Sequence, residues 1–345
     1  MTRISEIRQL TWARVLHFCR EPEAIFWVFV FPVILAMVLG VAFQHLGTET
    51  VRVGVLAGEG STRYVSWFRQ GVAIDVVELE SYEEAELSLR TGGVAAWVEA
   101  STPALLHYDP SRPEGASAYM RIMDAIQRGA GRQDVVEVAV EEVTTRGSRY
   151  IDWLIPGLLG MNLMGTGIWG IGFAIVHSRQ HKLLRRFLVT PMRKSSYLLS
   201  FLLSRLIFLT VEVAVLLLFA GLVMGVPFYG SFLVLGLLCL LGALSFAGLG
   251  LLISSRARTI EGVSGLMNFI MMPMWLCSGV FFSYERFPDA LQPLARALPL
   301  TALNDALRAN MMEGAGLLTV GPEILIQCAW GLVTFLVALR IFRWQ

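Results

Sequence analysis

Glu212 lies near the middle of a long apolar run, seven residues after Arg205. Two turns of helix place both side chains on nearly the same face. If that run crosses a bilayer, an ionised carboxylate there costs at least ~2.5 kcal/mol, so Glu212 needs a partner. One reading is a polar patch on a substrate path, or a proton-linked group. The other is a structural hydrogen bond or ion pair to a neighbouring helix, with Asn162 and Asn268 as available amides. A second constellation is KLLRRFLV, where Leu183, Leu184, Phe187 and Leu188 recur at i, i+1, i+4 and i+5. Lys182, Arg185 and Arg186 face the other way, and Thr190-Pro191 interrupts the helix. A loop that only anchors orientation needs charge but no apolar stripe. The stripe is that of a docking surface for another protein, with plain anchoring as the alternative.

The chemistry of enzymes is missing. There is no phosphate-cradling GxxxxGK[ST], no HExxH and no GxSxG. His177 and His181 are spaced i, i+4, but they lie in a basic stretch without carboxylate support. Cys19, Cys239, Cys277 and Cys328 form no CxxC and no metal spacing. The chain is therefore expected to hold no catalytic residue, no metal and no cofactor. A net charge of +1 supplies no field for nucleic acid, which is not expected as a partner.

The surroundings of these residues are membrane-like. Of 345 residues only 16% are charged and 55% are apolar, where soluble domains average about 25% and 45–50%. About 20 apolar residues are needed to cross a bilayer as a helix, and six runs qualify: 24–43, 151–176, 198–225, 232–253, 262–282 and 324–342. The first is too long and too far from the start for a signal peptide, and no A-x-A site follows it. It reads as a retained span, with a cleaved leader as the lesser alternative. Basic residues mark the cytoplasmic side of short loops. Segment 177–197 has six Lys/Arg and no acid; Arg256 and Arg258 lie in the loop after the fourth run, and Arg340 and Arg343 in the tail. With Arg3, Arg8, Arg14 and Arg20 of the leader, all fall on one side if there are six crossings. Both termini are then cytoplasmic.

Residues 44–150 become one extracytoplasmic insertion, with 10 Arg, no Lys and 16 Asp+Glu over 45–150. A net of −6 marks a solvated domain. VRVGVL (51–56), IDVVEL (74–79), VAAWVEA (94–100) and ALLHY (104–108) alternate like strands, with capped helices between them, so a small α/β domain is expected. A longer helix over 115–150, broken near Gly129–Gly131, leads back to the membrane. The leader, 1–23, reads as an amphipathic helix in the cytoplasmic interface, with Ile4, Ile7, Val15 and Phe18 on one face and Trp12 alongside. A mere topogenic leader is the plainer reading. Residues 283–323 are too apolar for a linker and read as two short helices separated by Pro299, half-immersed at the outer face.

The order and spacing of several segments resemble the ABC-2 type permeases, the membrane subunits of ATP-driven exporters. YIDWLIPGLLG is similar to the family's "vPG" entry to span two, and LLRRFLVTPMRKSSYLLSFLLSR to its "lkrLlvTPl" segment. GVFFSYERFPDALQPLARALPLTALNDALR resembles its "sGvffp…lP…a…P.ty..dalR" stretch. The likeness covers essentially the whole chain and points to the subgroup with a large domain after span one. One departure is notable: many relatives carry an acidic "ErE.GTle" run after span two, and here SRQHKLLRRF stands instead. That places the chain nearer to drug- or antibiotic-export permeases.

The resemblance implies a six-helix, type V exporter-like fold with an inserted α/β domain. It implies that 177–197 holds a coupling helix in a cleft of a separate ATPase subunit, and that the leader is a connecting helix. Two copies of that subunit would bind ATP and Mg2+, and a second permease copy or a sister would complete the transporter in the lipids of a bacterial inner membrane. The expected function is export of a hydrophobic or amphipathic substrate, a drug, antibiotic or lipid-like molecule. Two alternatives remain: a non-transporting scaffold passing ATP-driven force to an extracytoplasmic partner, and secondary transport driven by Glu212 protonation.

Overall fold

The computed structural model describes residues 3–43, 50–133 other than 72 and 102, 149–180, and 194–341 other than 258. The chain divides into two compact units, Met1–Gln44 with Thr144–Gln345, and His45–Val143.

The first unit is helical. Helix α1 (Arg3–Cys19) is followed by α2 (Pro22–Ala42), which opens on Pro22, a residue suited to the first helical turn. Then come α6 (Tyr150–Gln180), α7 (Lys194–Leu222), α8 (Phe232–Ser254), α9 (Ile260–Cys277), α10 (Gln292–Ala297), α11 (Pro299–Glu313) and α12 (Gly321–Ile341). Among the described residues six helices are long and apolar enough to cross a membrane: α2, α6, α7, α8, α9 and α12. Trp27 and Val38 of α2, Phe269 and Leu276 of α9, and Leu332 of α12 stand exposed on their outer faces. Water would not tolerate so continuous an apolar exterior, whereas hydrocarbon does.

Helix α6 is the hub. It packs against α8, α9 and α11, and its buried Leu154, Leu158, Leu163 and Ile168 join Phe246, Met267, Leu303 and Leu307 in one core. The α6–α8 crossing is close because glycines face each other there. A Cβ on Gly167 would lie 2.7 Å from that of Phe246, and one on Gly250 would lie 2.7 Å from the Ile168 carbonyl. Small residues at a crossing let backbones approach, which is how helices gain contact without a hydrophobic driving force between them. Helix α8 also packs on α12.

Between α9 and α12 the chain forms a short 3-10 turn, Tyr284–Arg286, and then α10 and α11. Leu298 is extended and Pro299 opens α11, so the two helices break at the proline. Helix α11 ends on Gly314 in the left-handed region (φ +70), where the Ala315 amide donates to the Ala309 carbonyl at 3.0 Å.

The second unit holds a four-stranded sheet: β1 (Val51–Leu56), β2 (Ile74–Leu79), β3 (Ala96–Glu99) and β4 (Leu105–Tyr108), in the order β2-β1-β3-β4. β1 is parallel to β2 and β3, and β4 runs antiparallel to β3. The parallel pairs need crossovers, supplied by α3 (Ser61–Gln70) and α4 (Tyr82–Thr91). Helices α3 and α5 (Pro113–Gly129) cover one face with Val53, Val65, Phe68, Ala96 and Ile122. Helix α4 covers the other over Leu79, Ala85, Val94 and Trp97. Its ends obey local rules: Ser81 Oγ accepts from the Glu84 amide at 3.2 Å, and Gly92 closes the helix at φ +81.

Candidate functional site

Glu212 is buried (2% exposed) on α7, facing α6. Its oxygens lie 3.3 and 3.4 Å from Thr166 Oγ1, and the Arg205 guanidinium donates to that same hydroxyl at 2.6 Å. Thr166 also reaches the Asn162 carbonyl at 2.9 Å, the usual back-bond of a helical threonine. One hydroxyl thus bridges a buried acid and a half-buried base. Among the described residues this polar link is one of the points at which α6 and α7 meet.

The two amides offered for Glu212 by the sequence take other roles. Asn162 Nδ2 donates to the Val28 carbonyl at 3.0 Å. The reason lies in α2. Pro32 has no N–H, and its ring excludes the carbonyl four residues back, that of Val28. The helix widens into a π turn over Phe26–Val30, with the Phe31 amide donating to the Phe26 carbonyl, and Asn162 satisfies the oxygen left over. Asn268 is exposed on α9 and has no hydrogen bond among the described residues. Of the expected polar group, Arg205 and Glu212 come together, Asn162 stands one turn away with a different acceptor, and Asn268 is separate. Thr166, the bridge, is the residue that sequence reading missed; a threonine in a glycine-rich helix carries no signal beyond its own back-bond.

A second polar cluster sits where α6 begins. Arg308 of α11 stacks over the Trp153 ring at 3.9 Å, donates to the Trp153 carbonyl at 3.3 Å and to the Gly279 carbonyl, and lies 3.6 Å from Asp305. Burial pulls its pKa down to about 10, against the opposing pull of Asp305 and Tyr284. Burial likewise raises the Asp305 carboxyl above its ordinary value, although Arg308 and the Tyr284 hydroxyl, which donates at 3.1 Å, favour its ionised form. Beside it, Arg149 grips the buried Asp152 through two bonds of 2.8 and 3.1 Å and donates to the Gly225 carbonyl at 2.9 Å. The bond to Asp152 raises the Arg149 pKa. The signal for Arg308 was present, a charge inside an apolar hairpin, but of its partners only Asp305 is local, while Trp153 and Gly279 come from segments far apart in sequence.

The segment with Lys182, Leu183, Leu184, Arg185, Arg186, Phe187, Leu188, Thr190 and Pro191 lies outside the described residues. In α1, Thr11 is buried and Ile7, Val15 and Phe18 are half-buried on the side that meets α7. Phe18 lies against Phe208, with ring centroids 4.3 Å apart. Ile4 sits in the first turn. Trp12 does not join that seam and is 61% exposed. The contact follows i, i+4, i+8 and i+11 from Ile7, and one residue beyond Thr11 the helix has turned about 100° away.

Uncovered apolar helices around a glycine-packed, polar-bridged core define a polytopic helical membrane protein. The model of the ABC-2 family transporter proteins matches residues 22–340, so the chain belongs to that family. It is 20% identical over 340 residues to the probable multidrug ABC transporter permease YbhS of Escherichia coli, covering 88% of this chain and 90% of the relative. It is 27% identical over 173 residues to the inner membrane transport permease YhhJ of the same organism, covering 50% of this chain and 46% of the relative. ABC transporter G family member 20 of Dictyostelium discoideum is 29% identical over 172 residues, covering 49% of this chain and 23% of that protein. The chain thus spans about half of YhhJ and about a quarter of the Dictyostelium protein. The family is that of ABC permease subunits, which lack an ATPase site of their own and work with an ATP-binding subunit; ATP and Mg2+ act there.

Proposed function

We propose that this chain is the permease subunit of an ATP-driven exporter in a bacterial inner membrane. It moves a hydrophobic or amphipathic molecule, a drug, antibiotic or lipid-like compound, out of the cytoplasm or inner leaflet. The observation that carries this reading is the family match over 22–340, joined to a relative called a multidrug permease that aligns along nearly its whole length. Both termini and 177–197 lie on the cytoplasmic side, and the sheet-bearing unit, with α10 and α11, lies outside; the arginine-rich loops support that orientation. Segment 181–197 docks into each of two ATPase subunits through Leu183, Leu184, Phe187 and Leu188, and α1 is the connecting helix. Trp12 then faces the bilayer interface, where indole rings are at home.

A second permease copy, or a sister, sits against α9. Asn268 supports this placement, because an amide on the outer face of a spanning helix is costly in lipid and is satisfied by a protein neighbour. The test is ATP-dependent accumulation of a lipophilic dye in inside-out vesicles holding the permease and its ATPase. Accumulation requiring both subunits is expected; none under any condition, with ATP hydrolysed normally, contradicts export.

The scaffold reading keeps one observation, the separately packed acidic unit His45–Val143. Removing 45–143 separates the two: dye accumulation survives in an exporter, whereas a scaffold loses its partner and never accumulated dye.

A further inference from the structure

The geometry points to Arg179 as the residue that passes movement of the coupling segment into the α8–α9 turn, an inference that rests on the permease reading above. Arg179 lies in the last turn of α6, two residues before the segment that carries the docking stripe. Its side chain turns toward the end of α8. Nη1 donates to the Ala257 carbonyl at 2.7 Å and to the Ser254 carbonyl at 3.2 Å, and Nη2 to the Ser255 carbonyl at 3.4 Å.

These acceptors belong to the end of α8 and the turn after it. The last carbonyls of a helix have no partner within it and carry the negative end of its dipole. Ser254 and Ser255 are buried, so water does not satisfy their backbone. Their hydroxyls fold back onto Leu251 and Leu252 and leave the backbone oxygens to the guanidinium. A planar fork reaching three carbonyls resists rotation as well as separation, whereas a lysine ammonium has donors but no fixed fork to hold that orientation.

The turn that Arg179 holds leads straight into the next helix. Helix α9 starts soon after, with Thr259 Oγ1 accepting from the Gly262 amide at 3.1 Å. A shift at the foot of α6 therefore reaches the foot of α8 and the start of α9 through one side chain. The Gly167–Gly250 crossing holds the same two helices further along. Arg179 is a positioning residue: it touches neither nucleotide nor substrate.

Hydrogen–deuterium exchange on the permease–ATPase complex, nucleotide-free and trapped with Mg-ATP and vanadate, tests this. In the natural protein, trapping should change exchange in both 181–193 and 254–260. In Arg179→Gln, the change in 181–193 and ATP hydrolysis should persist, while the change in 254–260 is lost. Arg179→Lys, which keeps the charge without the fork, should show a reduced change in 254–260, and it carries the comparison if Arg179→Gln does not assemble. A purely structural role would lower thermal stability and leave the trapped-minus-free difference intact. An Arg179→Gln response at 254–260 equal to the natural one overturns the inference, as does a natural complex in which 181–193 responds and 254–260 does not. If 181–193 itself never responds, the coupling reading fails first, and the two failures are told apart.

Discussion

Pro32 deprives α2 of the N–H that would have met the Val28 carbonyl, and Asn162 replaces it from α6. Removing that amide as Asn162→Leu leaves a carbonyl unpaired away from water, at a cost of about 0.5–2 kcal/mol in a membrane setting. In a Pro32→Ala background the backbone regains its own donor, so the same substitution should cost less. A double-mutant cycle read by unfolding in mixed micelles checks this, and additive effects would refute it. At Glu212 the pairing predicts an asymmetry. Arg205→Met, leaving the buried acid alone, should cost about 3–5 kcal/mol, while Arg205→Met with Glu212→Gln should recover much of it. Glu212→Gln alone keeps an oxygen for Thr166 and should leave ATP-driven dye accumulation intact; its loss would revive the proton-linked reading. Asp305 carries a pH dependence. Its folded pKa is raised, so its cost to stability is absent below the ordinary carboxyl value and grows as pH rises through the folded value. The Tm of Asp305→Asn relative to the natural protein should therefore rise as pH is raised above the ordinary carboxyl range; a relative Tm that fell there would contradict it.

The α6–α8 crossing makes its prediction at the scale of elements. Gly250→Val must push the helices apart, at a cost of about 1–3 kcal/mol or a failure to fold. Gly170→Ala, on an open face of α6 with nothing within 4 Å, should be neutral or gain about 0.5–1 kcal/mol of helix propensity. Both are read as Tm in detergent, and equal effects would mean that the crossing is not tight. Element positions were largely legible in the sequence because each obeys a local rule. The strands at 51–56 and 74–79 alternate in the sequence where the structure has them, and Pro299 splits α10 from α11. Faces were less legible. Trp12 belongs beside Ile7 and Val15 by hydrophobicity, yet the seam with α7 runs through Thr11, because packing selects a row of the helix and not a sum of apolarity. Thr166 and Arg308 escaped because their partners are chosen by tertiary approach: Thr166 meets Arg205 and Glu212 from the next helix, and Arg308 meets Trp153 from 155 positions away.

For the whole molecule, the near-zero net charge conceals opposed regions. The segment 45–150 carries −6, while 177–197 carries six Lys/Arg and no acid. In the proposed orientation this is a permease whose acidic unit is outside and whose basic loop meets an ATPase. Helix α6 leads into that segment in sequence and touches α8, α9 and α11 within the core, so in the proposed coupling it would be the element through which an ATPase moves the rest. The most direct measurement is co-purification of the natural ATPase with Leu184→Asp and Phe187→Asp variants, paired with ATP hydrolysis of each complex. The account predicts that each charge, set into the apolar stripe, abolishes assembly while the variant stays folded in the membrane. Normal assembly and normal ATP hydrolysis in both variants would contradict it.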